Sequence, residues 1–426
     1  ARFISAEASD SWGTAGLSYY IASRLYWNVD EDTDAIINDF FDKAFGPAQQ
    51  PMREFYKHLD RGSRLLFSTD QIGRMYRHLQ EAYALTQDPS IRSRLDDLTL
   101  YTRYVELLWN LQQQPQSEEA TGVVLGFAYR IRHTHMVHSY ALWRDTRGGN
   151  FARPAGDHVW NVPEGRNPWK SSEPFTAQEI AGFIEQGIAA NPIANFQPIS
   201  FSEELVSAAP LQLDPSPARG QHGLTRSSHT FYLWLDQPGR LQLDVTAGQI
   251  STHDTAQARL IFYAEEDPTL EASSEVKFPI DRQTHQVELS SNFKGLHRLT
   301  FFDAGRGLLV NWPAGTRLVI PVTGQQQTLI RGRYRMCFYV PKGTRTIGGY
   351  SNGGGRLLDA SNQLQHTFTG PAGYFEVPVP QGQDGKVWWI DRGSGLKLLM
   401  TVPPYLARHP DELLLPAEVV EADRQR

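Results

Sequence analysis

The sequence predicts a multidomain α plus β protein: an opening βα unit, a helical region, and two antiparallel β-sandwich modules. Three observations carry this. The first thirty residues run from an apolar strand through a polar-aromatic loop into an amphipathic helix. From there to about residue 200, apolar residues recur every three or four positions. Beyond residue 201 the period drops to two, with Gly, Pro and Asp between the runs. At 426 residues the chain exceeds what one hydrophobic core holds, about 250 residues.

The opening strand is Arg2–Ala6. Its loop carries Glu7, Asp10 and Trp12, and the following helix shows Leu17, Tyr20, Ile21, Arg24 and Leu25 as a stripe. A lone βα unit leaves both strand edges unpaired, so the opening is expected to be the downstream part of a larger layer. Residues 31–200 form the expected helical domain. Asp30 or Asp32 caps a helix striped by Ile36, Ile37, Phe40, Phe41, Ala44 and Phe45, and Gly46-Pro47 stops it. Further helices are expected from Ala48 to about Leu66, from Ser68 or Thr69 to Leu85, and from Asp88-Pro89 through Leu95, Leu98, Thr102, Val105 and Trp109. A long helix is expected from Ser117 to about Asp145, and a last one from Pro174-Phe-Thr176 to Asn191-Pro192.

The first β module spans residues 201–324, with strands at Thr230–Leu235, Arg240–Val245, Arg259–Tyr263, His285–Leu289 and His297–Phe302. The second spans 325–426, with strands at Tyr334–Val340, Arg345–Tyr350, His366–Phe368, Tyr374–Val379, Lys386–Ile390 and Lys397–Val402. Gly353-Gly-Gly355 reads as a hairpin turn rather than a phosphate cradle, because no helix follows it. The tail Pro403–Pro416 is expected to pack as an apolar strap, with a frayed end after about Val420.

Composition narrows the chemistry. The net charge of −6 is dispersed without a basic block, which argues against nucleic acid or an anionic membrane as partner. No apolar run approaches the ~20 residues needed to span a bilayer. One cysteine, Cys337, excludes an internal disulfide or a cysteine-built zinc cage, and no cofactor motif of the Walker or H-E-x-x-H type occurs. Ten Trp and seventeen Tyr suit stacking on sugar rings, and equally suit large β-sandwiches.

Three constellations are candidates for function. Glu7 and Asp10 could work as carboxylates, but a hydrolytic pair sits ~5–10 Å apart and normally comes from different strands. Substrate contact, with the Trp12 indole as stacking face, suits them better; capping of the loop and helix is the plain structural alternative. His135 and His138 sit three apart in the long helix and would share a face. Without an acidic third ligand, and with Arg130 and Arg132 beside them, no metal site is expected. They read as buried histidines or as substrate contacts from the helix. Trp388 and Trp389 are adjacent, so alternation should turn one indole outward as an accessory glycan platform.

The stretch Ala6-Glu-Ala-Ser…Trp12-Gly-Thr-Ala-Gly16 through Tyr26-Trp27, with Asp39-Phe-Phe…Ala44-Phe-Gly-Pro47, resembles the final barrel segment of a bacterial family of glycoside-hydrolase-like proteins. That family was long a domain of unknown function. Its relatives include endo-β-N-acetylglucosaminidases and, more distantly, α-glucuronidases. Tyr129–Tyr140, Phe338–Thr344 and Val402–Ala407 resemble the same proteins. The resemblance implies that residues 1–30 are the last βα unit of a (β/α)8 barrel, and that Glu7, Asp10 and Trp12 line its cleft. It also implies that the main catalytic acids lie on earlier strands absent from this chain, that an N-terminal barrel portion is the missing partner, and that the protein is extracellular or periplasmic. The expected function is thus the carboxyl-terminal part of a barrel-type glycoside hydrolase acting on a glycan or polysaccharide, inactive on its own. A non-catalytic carbohydrate-binding or assembly protein is the alternative. A polysaccharide lyase using Tyr129, Arg130, His135 and His138 is the third reading.

Overall fold

Local capping starts several of the helices. A computed structural model describes residues 10–59, 66–146, 163–166, 170–252, 254–262, 274–326 and 328–425. The expected strand Arg2–Ala6 and Glu7 lie outside the described residues. The chain divides into two compact units, residues 1–193 and 194–426. The first is helical in its described residues; the second is built on antiparallel sheets.

In the helical unit the helices are α1 (Trp12–Trp27), α2 (Thr33–Phe45), α3 (Gln49–Lys57), α4 (Thr69–Leu85), α5 (Pro89–Gln113), α6 (Glu118–Arg130), α7 (Ser139–Thr146) and α8 (Ala177–Ala190). Short oxygen-bearing side chains start several of them by accepting otherwise orphaned amide protons. Asp32 accepts from Asp34 N, Asp88 from Ser90 N and Ile91 N, and Ser117 from Ala120 N. Thr176 and Glu179 form a reciprocal capping box on α8. Gly46 ends α2 at φ 47°, a conformation that costs glycine nothing. The stripes then bury Phe41, Phe45, Met52, Phe55, Tyr76, Leu79, Leu95 and Leu98 in one cluster.

Within this apolar packing sits a buried carboxylate. Glu106 on α5 accepts from Tyr76 Oη (2.8 Å), Asn191 Nδ2 (2.7 Å) and Arg103 Nη1 (2.6 Å), so α4, α5 and the end of α8 share one charged hub. Replacing Glu106 by leucine leaves the phenol and the amide without their acceptor. A loss of about 2–4 kcal/mol is expected, seen as a lower urea midpoint by circular dichroism.

The expected long helix from Ser117 to Asp145 does not exist. α6 stops at Arg130, a 3₁₀ turn covers Arg132–Thr134, and His135 takes a left-handed conformation (φ 58°) before α7 begins. The stripe continues through this break without a glycine or proline to mark it. Thr134 supports the break locally, with its hydroxyl donating to Ile131 O and accepting from Met136 N.

The second unit contains β1 (Leu205–Ser207), β2 (Ser228–Leu235), β3 (Gly239–Ala247), β4 (Thr255–Phe262), β5 (Ser274–Pro279), β6 (Thr284–Ser291), β7 (Gly295–Phe302), β8 (Leu308–Asn311) and β9 (Leu318–Pro321). It continues with β10 (Leu329–Val340), β11 (Thr346–Leu358), β12 (Leu364–Pro378), β13 (Lys386–Leu399), β14 (Tyr405–Leu406), β15 (Leu414–Pro416) and the helix α9 (Ala417–Gln425). The sheets have the orders β14-β9-β2-β7-β4-β5, β6-β3-β8, β10-β13-β11-β12 and β1-β15. Strands from both expected modules contribute to a single hydrophobic cluster, which includes Phe231, Leu243, Val287, Leu299, Phe338, Trp388 and Leu406.

Three expectations change here. Strands read as separate pairs merge: His366–Phe368 and Tyr374 onward belong to one β12, and Lys386–Ile390 and Lys397 onward to one β13. Gly353-Gly-Gly355 is not a turn but an irregular stretch inside β11, with Gly353 at φ 136° and Gly355 at φ 142°. Glycine is required because β13 runs against it: a Cβ on Gly353 would lie 2.3 Å from Ser394 O. The tail after Val420 is also ordered into α9. Asp423 is buried there and accepts from Tyr339 Oη (2.8 Å) and Lys342 N (2.7 Å).

The strap forms, and it decides the fate of the paired tryptophans. Alternation does send them to opposite faces of β13. Trp388 packs in the main core, and Trp389 packs with Tyr405, Ala407 and Leu413. Both are buried, at 0% and 1% exposure, so neither offers the outward stacking face expected of it. The strap covers the face that alternation alone would have left open.

Candidate functional site

The break at His135 builds the site. A helix leaves its first amide protons without intrahelical partners. In α1 these are taken by the broken segment: Trp12 N donates to His135 O (3.1 Å) and Gly13 N to Met136 O (3.3 Å). Gly13 is needed for this approach, since a Cβ there would fall 2.2 Å from the Tyr101 ring of α5. The carbonyls of His135 and Met136 therefore serve α1 across more than 120 positions of sequence.

The same docking brings three of the expected residues together. Asp10 Oδ1 lies 3.0 Å from His135 Nδ1, and both side chains stay more than half exposed, at 52% and 60%. Trp12 follows two residues after Asp10; it is 47% exposed, with its ring edge-on to Tyr19 at 5.2 Å between centroids. An exposed carboxylate–imidazole pair contributes little to stability, at most about 1 kcal/mol. It does present a carboxylate acceptor and an imidazole in the same loop region as the exposed Trp12. Among the described residues no cluster of His, Cys, Asp and Glu could hold a metal ion.

His138 does not join them. It sits at the start of α7, where its Nδ1 accepts from Ala141 N (3.1 Å), a capping role. The shared helical face expected for His135 and His138 is lost because the helix between them is broken. Arg130 and Tyr129 turn to the segment after residue 163. Arg130 donates to Glu173 O and Pro174 O and lies 3.5 Å over the Phe175 ring. Tyr129 donates to Glu164 (3.0 Å), and burial together with that carboxylate raises its phenol above the ordinary value.

One residue escaped the sequence reading. Asp97 lies on α5 one turn before Tyr101, the ring beneath Gly13. Burial, and then the neighbouring Asp96, push its carboxyl up to about 6, while His133 acts in the opposite direction. In sequence it is one of two adjacent aspartates in a helical stripe, and nothing in that pattern separates it from a solvated pair.

No family model matches the chain, and no curated protein matches it. Among solved structures it is similar to a novel family GH115 4-O-methyl-alpha-glucuronidase, BtGH115A, with specificity for decorated arabinogalactans. That match covers 68% of this chain at 10% identity, with a TM-score of 0.22. The chain spans 43% of the glucuronidase's length.

Proposed function

We propose that the corner formed by Asp10, Trp12 and His135 is a glycan contact, in the carboxyl-terminal part of a glycoside-hydrolase-like protein. One observation supports the reading above others: an exposed carboxylate–imidazole pair forms across 125 positions of sequence, and the exposed Trp12 follows its carboxylate by two residues. An indole face takes the apolar C–H surface of a pyranose ring. Beside it, Asp10 accepts from a sugar hydroxyl while the imidazole donates to or accepts from its neighbour. Glycoside hydrolysis needs two placed carboxyl groups, an acid and a base or nucleophile. The described corner presents one exposed carboxylate, so the role assigned to it is holding the sugar rather than cleaving it.

The test is calorimetric titration of the 426-residue chain with chito-oligosaccharides and with glucuronate-bearing arabinogalactan fragments. Binding is expected to at least one series. Trp12→Ala should weaken it about tenfold, the loss of roughly 1.4 kcal/mol of stacking, with Asp10→Asn and His135→Ala weaker by smaller factors. Unchanged binding in Trp12→Ala, or no binding to either series, would remove the proposal.

A further inference from the structure

A second polar site lies in the β unit, far along the chain from the residues just described. The sheet β6-β3-β8 turns one face to the core, through Leu243, Val245, Val287 and Val310. Strand alternation therefore gives its other face to polar side chains. Across the three strands these stand in register. Gln286, Asp244 and Asn311 form one row, and Thr284 and Thr246 stand in the next beside Leu309. A half-open cavity of about 380 Å³ lies over this face, lined by Asp244, Thr246, Thr284, Asn311, Gln221 and His222 together with Arg408. That is large enough for a small ligand.

The charges and donors specify what would fit. Arg408 is fully engaged: it donates to Asn311 Oδ1 (2.8 Å), to Trp312 O (2.8 Å) and to Glu412 (3.0 Å). Its charge is thus answered by Glu412 and is not on offer to an anion. Asp244 is exposed and has no ion pair or side-chain hydrogen bond among the described residues. The Thr246 and Thr284 hydroxyls lie 2.9 Å apart and keep further hydrogen-bonding capacity. His222 is more than nine-tenths buried, and neither of its ring nitrogens has a partner among the described residues. A buried polar group without a partner is costly, and such groups commonly mark a ligand or ordered-water position.

We infer that this cavity binds a neutral saccharide residue. Its array of one unpaired carboxylate, two hydroxyls and two amides matches vicinal sugar hydroxyls, each both donor and acceptor. A uronic acid would instead meet the uncompensated Asp244 charge. This inference is independent of the corner at Asp10, which lies in the other unit and uses other residues.

Saturation-transfer NMR and calorimetry on the 426-residue chain would test it, using the methyl glycosides of glucose, galactose, mannose and N-acetylglucosamine, and glucuronic and galacturonic acids as anionic controls. Binding to at least one neutral glycoside is expected, weaker by tenfold or more in Asp244→Ala and in Thr246→Val, and unchanged in Trp12→Ala. Both substitutions are on an outward sheet face, and unchanged thermal melting would confirm that the unit stays folded. The His222 ring signals should also shift when the neutral sugar is added. Absence of binding to every neutral glycoside, preference for the uronic acids, or equal affinity in Asp244→Ala would each overturn the inference. Loss in Trp12→Ala alone would assign the binding to the other corner and overturn it too.

Discussion

Replacing Glu412 by alanine should destabilise the β unit by about 3–5 kcal/mol, enough to remove a large part of a typical domain's stability. Glu412 is completely buried. Its carboxylate accepts from Trp312 Nε1 (3.2 Å) and from Arg408 (3.0 Å), and it also pairs with Arg219. Arg408 is itself 6% exposed and lies 3.9 Å over the Trp312 ring. Removing the carboxylate strands that guanidinium in low dielectric, where an unpaired charge is far more costly than a lost hydrogen bond. Arg219, only partly buried, keeps Asp411 as partner at 3.1 Å and should matter less. The measurement is a urea unfolding curve followed by hydrogen exchange in β2 and β8. The paired substitution Arg408→Met with Glu412→Leu should recover much of the loss, because an apolar pair leaves no buried charge. A shift below about 1 kcal/mol in Glu412→Ala would show that the cluster is not a stabilising hub.

Mild acid should act on the same unit through its buried histidines, chiefly His222 and His229, with His297 and His366 held down by burial as well. Burial, with smaller contributions from His229 and Arg408, holds His222 down at about 3. Burial also holds His229 down at about 4, partly opposed by Asp303. Above pH 6.5 both rings are neutral whether the chain is folded or unfolded, so they leave stability independent of pH. Between about pH 6.5 and 4 the unfolded chain binds protons at His222 and His229 that the folded chain refuses. Stability should then fall by up to about 1.4 kcal/mol per pH unit for each histidine. The expected result is a urea midpoint that is flat from pH 7 to 8 and drops steeply below pH 6. His229→Gln should make that drop shallower. A midpoint unchanged between pH 7 and 5 would contradict the assignment of these rings as neutral and buried.

Much of the architecture was legible because its causes are local. The caps at Asp32, Asp88, Ser117 and Thr176 act within three residues of themselves, and the two hydrophobic periods report the burial of one face. Elements failed where the deciding partner is distant. The stripe from Ser117 to Asp145 satisfies every local rule for one helix, yet α1 needs acceptors for its first amides, and the carbonyls of His135 and Met136 supply them. Gly353 looks like a turn until the neighbouring β13 backbone is seen to exclude a side chain there. Asp423 looks solvated until Tyr339 is found bonded to it.

The candidate corner divides in the same way. Asp10 and Trp12 stood out from their place in a polar-aromatic loop before a helix, and His135 from its neighbours. That Asp10 meets His135, while His138 caps α7 and Asp97 is partly desolvated, followed from how the helices dock. Glu7 lies outside the described residues. The sequence by itself determined a helical half followed by an antiparallel β half, along with helix starts and the inward faces of the strands, since periodicity and capping are short-range. Only the tertiary structure decided which side chains stay exposed. It buried both Trp388 and Trp389 under core and strap, and it left Trp12 open beside a carboxylate–imidazole pair. Exposure depends on what packs against a face, and that partner can lie anywhere along the chain.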